Sequence, residues 1–123
     1  MRSCELSISA LARAYRNGTE TPRRVLTELL EACASAPKGI WITLISREQL
    51  EAWLTRLEAI SPEELPLYGV PFAVKDNIDV AGLPTTAGCP DYCYRPERSA
   101  RVVELLIEAG AVPLGKTNMD QFA

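Results

Sequence analysis

Two early stretches carry the period of an amphipathic helix. In "SISALARAYRNG" the apolar residues Ile8, Leu11, Ala12 and Tyr15 recur at i, i+3, i+4 and i+7, and Asn17-Gly18 closes the run with a C-terminal signal. "TPRRVLTELLEACAS" repeats the pattern, with Thr21 as N-cap, Pro22 at the first helical position, and Val25, Leu26, Leu29, Leu30 and Cys33 on one face. Together they predict a helical pair within residues 1–36. "GIWITLI" is β-branched and aromatic, so Ile40 to Ile45 reads as a strand. Ser46 and Gln49 then form an S-x-x-Q capping box ahead of a third helical face, Leu50, Trp53, Leu54 and Leu57, which ends before Ser61-Pro62.

After the proline-punctuated "SPEELPLYG" the apolar run Val70 to Val74 reads as a buried strand, and it ends on Lys75, Asp76 and Asn77. No period is sustained from Asp76 to Pro96, where Gly82, Pro84, Gly88, Pro90 and Pro96 interrupt. Its prolines, tyrosines and threonines predict a long but ordered, packed loop. Ser99 reads as the N-cap of a helix with Val102, Val103, Leu106 and Ile107 on its apolar face and Gly110 at its end. "AVPLG" follows as a short strand and "TNMDQFA" as the opening of another helix. Strand and helix alternate over 40–123, which predicts an α/β unit with at least partly parallel pairing. The chain stops on apolar residues as an element begins, so the expectation is a truncated part of a larger α/β fold.

Composition narrows the function classes. Of 123 residues, 47% are hydrophobic and 24% charged, which suits one globular unit, and no run approaches the roughly 20 apolar residues of a membrane span. The N-terminus lacks the apolar core of a secretory signal, so the reading is cytoplasmic, without a membrane partner. A net charge of −3 and the absence of a basic cluster argue against nucleic acid as a partner. Cys4, Cys33, Cys89 and Cys93 lack C-x-x-C spacing, and there is no histidine. A structural metal is therefore not expected, no cofactor is implied, free thiols are the better reading than a disulfide, and a Ser-His-Asp or Cys-His nucleophile is impossible within this chain.

One motif is misleading. Gly110 to Thr117, "GAVPLGKT", satisfies the phosphate-loop pattern G-x-x-x-x-G-K-[ST]. A phosphate loop follows a strand and runs into a helix, whereas here a helix precedes the motif and Ala111 to Leu114 read as a strand. Only six residues remain for the magnesium-binding acid such a site needs. Binding of ATP or GTP stays as a rival only.

The amine of Lys75 is the candidate chemistry. The residues alone leave three readings open: a lysine snorkelling to solvent, a Schiff-base amine, or a neutral general base. The wider sequence supplies a resemblance. "LYGVPFAVKDNIDVAGLPTTAG" contains G-x-P-x-x-x-K-D-N and G-x-x-T-T-x-G, and "EAGAVPLGKTNMDQFA" contains A-G-A-x-x-x-G-K-T-N. In that order these segments resemble the first part of the amidase signature family, and "YRNGTETPRRVLTELLE" resembles the family's first two helices. The resemblance implies the N-terminal portion of that family's α/β fold, a mixed sheet flanked by helices. It also implies amide hydrolysis by a Ser, cis-Ser, Lys triad, with Lys75 on the catalytic lysine and a small amide as substrate.

The family carries both serines in a G-G-S-S-G-G-type segment downstream of G-K-T-N. No such segment occurs in these 123 residues. Ser46 and Ser99 read as caps and Ser61 precedes a proline, so the chain by itself is expected to be inactive. Asp76 and Asn77 read either as positioning groups for Lys75 or as turn residues. Thr85 and Thr86 read as loop-fixing hydroxyls, and Lys116, Asn118 and Asp120 as architecture near the site. Within the family the segment is most similar to the allophanate hydrolase branch of urea degradation. It has Gln121 where many members have glutamate, and Gly88-Cys89-Pro90 where they place a serine. Tyr94 and Arg95, beside Tyr92, fit a site for a small polar anion, or else pack the loop. The rival from another class is a non-catalytic interaction module that self-associates through open sheet edges.

Overall fold

In the computed structural model, which describes residues 5–123, the helices begin and end on the chemistry their sequences carry. Helix α1 (Ile8–Asn17) starts where Ser7 Oγ accepts from the Ala10 N–H at 3.2 Å, and it stops at Gly18, whose φ of 79° is left-handed. Helix α2 (Pro22–Ala34) starts at Thr21, which accepts from the Arg24 N–H at 3.2 Å. Helix α3 (Arg47–Glu58) has the full capping box. Ser46 Oγ accepts from the Gln49 N–H at 3.0 Å, and Gln49 Oε1 accepts from the Ser46 N–H at 2.9 Å. On the α2 and α3 surfaces Arg23 bridges Glu51 and Glu58 at 2.7 and 2.9 Å.

Strands β1 (Trp41–Leu44), β2 (Pro71–Lys75) and β3 (Val112–Thr117) form a sheet in the order β1-β3-β2. The last strand in sequence is central, antiparallel to β1 and parallel to β2. The mixed α/β fold expected from the sequence is the fold found. All of β3 except Thr117 is buried, as a strand covered on both faces and paired on both edges must be. Gly115 lies where β1 passes over it, and a Cβ there would stand 2.3 Å from the Thr43 carbonyl oxygen. Side chains of α1, α2 and α3, among them Leu11, Leu26, Leu54 and Leu57, close the core against Val74, Val112 and Leu114. Tyr15 and Tyr68 meet edge to face at 5.9 Å. Their hydroxyls donate to the carbonyls of Gly69 and Leu57 at 2.9 and 2.8 Å, so neither buried phenol is left unpaired.

Two expectations about helix starts fail, and the strand expected to be buried over Val70 to Val74 runs Pro71–Lys75 with Val74 alone buried. Helix α4 (Arg101–Glu108) has Ala100 at its N-cap, with no side-chain cap, and Ser99 Oγ instead accepts from the Ala81 N–H at 2.9 Å. The hydroxyl serves the long loop rather than the helix. Nor does "TNMDQFA" open a helix: Thr117 completes β3 and the rest is a turn. Asn118 Oδ1 accepts from the Met119 N–H at 2.9 Å, and the Phe122 N–H bonds to the Ala87 carbonyl at 2.9 Å with φ of 56° at Phe122. The local Asn118 bond competes with a first helical turn, and the bond to Ala87 holds the segment away from one.

The loop from Asp76 to Pro96 is ordered and packed. Val80 and Leu83 enter the core, and Thr85 and Tyr94 exchange backbone hydrogen bonds at 2.9 and 3.1 Å. Within Gly110 to Thr117, residues Val112–Thr117 are the strand β3 rather than a loop opening a helix, which removes the geometry a phosphate would need. Cys33, Cys89 and Cys93 are free thiols, and Cys4 lies outside the described residues. Among the described residues no helix is long and apolar enough to cross a membrane.

Candidate active site

Alternation along β2 decides what each residue at its end can do. Val74 and Asp76 point inward and are buried, while Ala73, Lys75 and Asn77 point outward and are exposed. Lys75, the last residue of β2, pairs in register with Thr117 of β3. Its amine therefore leaves the sheet at the carboxyl end of parallel strands, the end at which open α/β sheets place their ligands. On the same side of β2, Ala73 lines an apolar groove of about 280 Å³ with Leu29, Cys33, Trp41 and Leu114. A larger surface depression, about 490 Å³, lies on α1 against Ser9, Arg13 and Arg16 and reaches none of these groups.

Behind the lysine lies a buried charge pair. Asp76 and Lys116 are both 0% exposed, and the Lys116 Nζ stands 3.1 Å from Asp76 Oδ1. That contact is an ion pair outside hydrogen-bond geometry. Asp76 Oδ2 accepts from the Thr86 N–H at 3.2 Å and, in a short hydrogen bond, from the Thr86 hydroxyl. Lys116 Nζ also donates to the Pro84 carbonyl and to Thr85 Oγ1, each at 3.2 Å. Consecutive threonines thus serve opposite members of the pair.

The network continues outward. Thr85 Oγ1 donates to Asp79 Oδ1 at 2.9 Å, and the same oxygen accepts from the Tyr94 hydroxyl at 2.6 Å. The Asp79 bond holds the Tyr94 phenol above its ordinary pKa, because it favours the protonated form. Tyr94 stacks edge-on against Tyr92 at 5.8 Å, and Tyr92 against Phe122 at 5.3 Å, which leaves three half-exposed aromatic rings beside the loop.

The expected site residues divide accordingly. Asp76 and Thr85 meet Lys116 in the interior, Thr86 binds Asp76 from the loop, and Tyr94 is anchored to Asp79 at the surface. Arg95 and Asp120 are exposed, the latter in the terminal turn where its carbonyl accepts from the Ala123 N–H at 3.0 Å. Asn118 Nδ2 donates to the Gly39 carbonyl at 3.0 Å, tying the end of β3 to the start of β1. Asn77 Nδ2 reaches the Ala123 carbonyl at 3.4 Å. Asp79 is a member that sequence reasoning missed; its placement three residues after Asp76 and six before Thr85 was the available signal. Ser46 and Ser99 serve as acceptors for backbone N–H groups, and Ser61 Oγ donates to Glu63 in a short hydrogen bond. Among the described residues no group of histidine, cysteine, aspartate or glutamate side chains could hold a metal ion.

The segments that build this corner, from β2 through the threonine loop to β3, fall within residues 24–123, and over that span the chain matches the profile of the Amidase family. The chain belongs to the amidase family. Within it, the chain is 51% identical over 109 residues to urea amidolyase of Saccharomyces cerevisiae, an alignment covering 87% of this chain and 6% of that protein. It is 34% identical over 149 residues to mandelamide hydrolase of Pseudomonas putida, covering 88% and 29%. Among solved amidases, selenomethionine-substituted Kluyveromyces lactis allophanate hydrolase superposes with a TM-score of 0.83 at 50% identity, covering 95% of this chain and 20% of that one. The chain thus spans only a small part of the length of each relative.

Proposed function

We propose that this chain provides the general-base lysine of an amidase that cleaves allophanate to ammonia and carbon dioxide, within urea degradation. The observation that carries the reading is Lys75 itself. It ends a strand matching the family's G-x-P-x-x-x-K-D-N pattern, and it is exposed at the sheet's carboxyl end while the acid beside it is turned inward. In the reaction a neutral lysine amine takes a proton through a bridging serine from a second serine, whose oxygen attacks the amide carbonyl. The proton is returned to the departing ammonia, and water then releases the acyl group. The two serines are not supplied by this chain. Tyr94 and Arg95 stand at the loop edge, where they would meet a carboxylate of the substrate.

The substrate assignment is supported by likeness to urea amidolyase and allophanate hydrolase over most of the chain. Likeness to mandelamide hydrolase makes mandelamide the control substrate. The experiment joins this sequence to the serine-bearing segment of an allophanate hydrolase and measures ammonia release from both compounds. Allophanate turnover is expected, with Lys75→Ala lowering kcat/KM by roughly 1,000-fold, the scale of a lost general base. The 123-residue chain assayed alone should release none. Turnover by the chain alone, mandelamide preferred over allophanate, or an active Lys75→Ala protein would each overturn part of the reading.

A second reading has one observation behind it: β1 and β2 are both edge strands, with no neighbour on their outer sides among the described residues. Such edges pair readily with another copy, as a non-catalytic module would. Light scattering decides it, because a monomer at high concentration excludes the reading.

A further inference from the structure

We propose that the buried Lys116–Asp76 pair locks the register of β2 against β3 and so fixes the side of the sheet from which Lys75 projects. Its meaning for catalysis rests on the reading of Lys75 given above; the lock itself does not.

Side chains on a strand alternate, so a slip of one residue exchanges the two sides. In the observed register Val74 lies opposite Lys116 and Lys75 opposite Thr117, with Asp76 reaching the Lys116 ammonium at 3.1 Å. A one-residue slip would carry Asp76 to the exposed side, turn Lys75 inward, and leave the Lys116 ammonium buried without its carboxylate. The apolar pattern of β2 guards weakly against this. Pro71 and Phe72 are both half-buried, only Val74 is fully buried within the strand, and the ladder already shifts between Phe72 and Ala73. A charge pair discriminates far more sharply, since a buried charge without its partner is the costliest error a strand can make, and fixing register is the best-attested use of buried ion pairs.

The loop reads the same register. Thr86 binds Asp76 while Thr85 binds Lys116, so both adjacent hydroxyls find their partners only when the two charges stand side by side. From Thr85 the network passes through Asp79 to Tyr94. The placement of Lys75 and that of the loop edge are therefore set by one pair.

The test uses the 123-residue chain and the double variant Asp76→Leu/Lys116→Met, which removes both charges and leaves none stranded. The chain has three lysines, and in the native protein Lys38 and Lys75 should react with an amine-acylating ester in a single fast phase. Lys116 should be protected by roughly 100-fold or more, as a group exposed only by opening of the fold. In the folded double variant the amide signals of Val74, Lys75 and Thr117 should double, and acylation of Lys75 should acquire a slow phase. A pair that merely stabilises would lower the melting temperature without doubling any signal. One set of signals, with the native Val74 to residue 116 contact and one acylation phase, overturns the proposal. Should the double variant fail to fold, hydrogen exchange in the native chain decides. The Thr86 amide, bonded to Asp76, should exchange as slowly as that of Val112, and exchange roughly 100-fold faster would overturn the lock. If the lock stands but Lys75→Ala leaves the joined amidase active, the functional reading falls alone.

Discussion

Gly115→Ala isolates a purely steric effect. Gly115 is not in the left-handed region, so alanine introduces no backbone strain; what it introduces is a methyl group 2.3 Å from the Thr43 carbonyl oxygen and 3.1 Å from Leu44 Cα. Ordinary contact begins near 3.4 Å, so β1 must retreat by about 1 Å from the central strand. That retreat stretches bonds such as Ile45 N–H to the Leu114 carbonyl, now 2.9 Å, beyond hydrogen-bond reach. Overpacking costs about 1–3 kcal/mol and each lost hydrogen bond about 1 kcal/mol, against a gain of about 0.4–1 kcal/mol from the stiffer unfolded chain. The net is a loss of roughly 2–3 kcal/mol, or about 10 °C in Tm for a chain of this size. Urea and thermal unfolding followed by circular dichroism measure it directly, and Trp41 in β1 gives a local fluorescence probe. A variant within about 0.5 kcal/mol of the parent would refute the close approach of β1 and β3.

Two further outcomes are expected. Ser46→Ala removes the acceptor for the Gln49 N–H and disrupts the capping box of α3, so urea unfolding should show a loss of about 1 kcal/mol; an unchanged midpoint would mean that the cap is redundant. The phenol of Tyr94 is raised by its bond to Asp79, and that of Tyr68 by burial, so both should ionise above the usual value of about 10. Because both shifts are upward, the stability they contribute is complete below that value and is lost as pH rises through the raised ones. Titration at 295 nm checks this: Tyr94→Phe should delete a late-ionising phenol, and deletion of one ionising in the ordinary range would contradict the Asp79 bond.

How much of the fold and site is legible in the sequence depends on how local the determining contacts are. Helices α1, α2 and α3 are readable because the period of each and the cap or stop signal beside it lie close together along the chain. Ser99 misleads because its hydroxyl serves Ala81, a donor on a distant loop, and no window around Ser99 contains it. Residues 118–123 have helix-compatible composition, yet bonds to Ile40 and Ala87 hold them as a turn. Lys116 reads from the sequence as architecture near the site, and the structure makes it a fully buried charge. Its position inside the run "AVPLGKT" is a usable signal, since a lysine in a central strand needs an acid opposite it. Asp76 follows Val74 by two residues, and that spacing already assigns it to the inner face.

The central place of β3 also fixes an order of events during synthesis. Strands β1 and β2 are separated from each other by α3, and among the described residues each finds its strand partner in residues 112–117. Until that segment emerges from the ribosome, the strand carrying Lys75 lacks the one partner it has among the described residues, while the helices ahead of it can already form. Pairings this distant along the chain are the slow ones, and an apolar strand waiting unpaired is open to capture by a neighbouring chain. Translation speed across the loop between β2 and β3 should therefore govern yield more than it does across the helical pair.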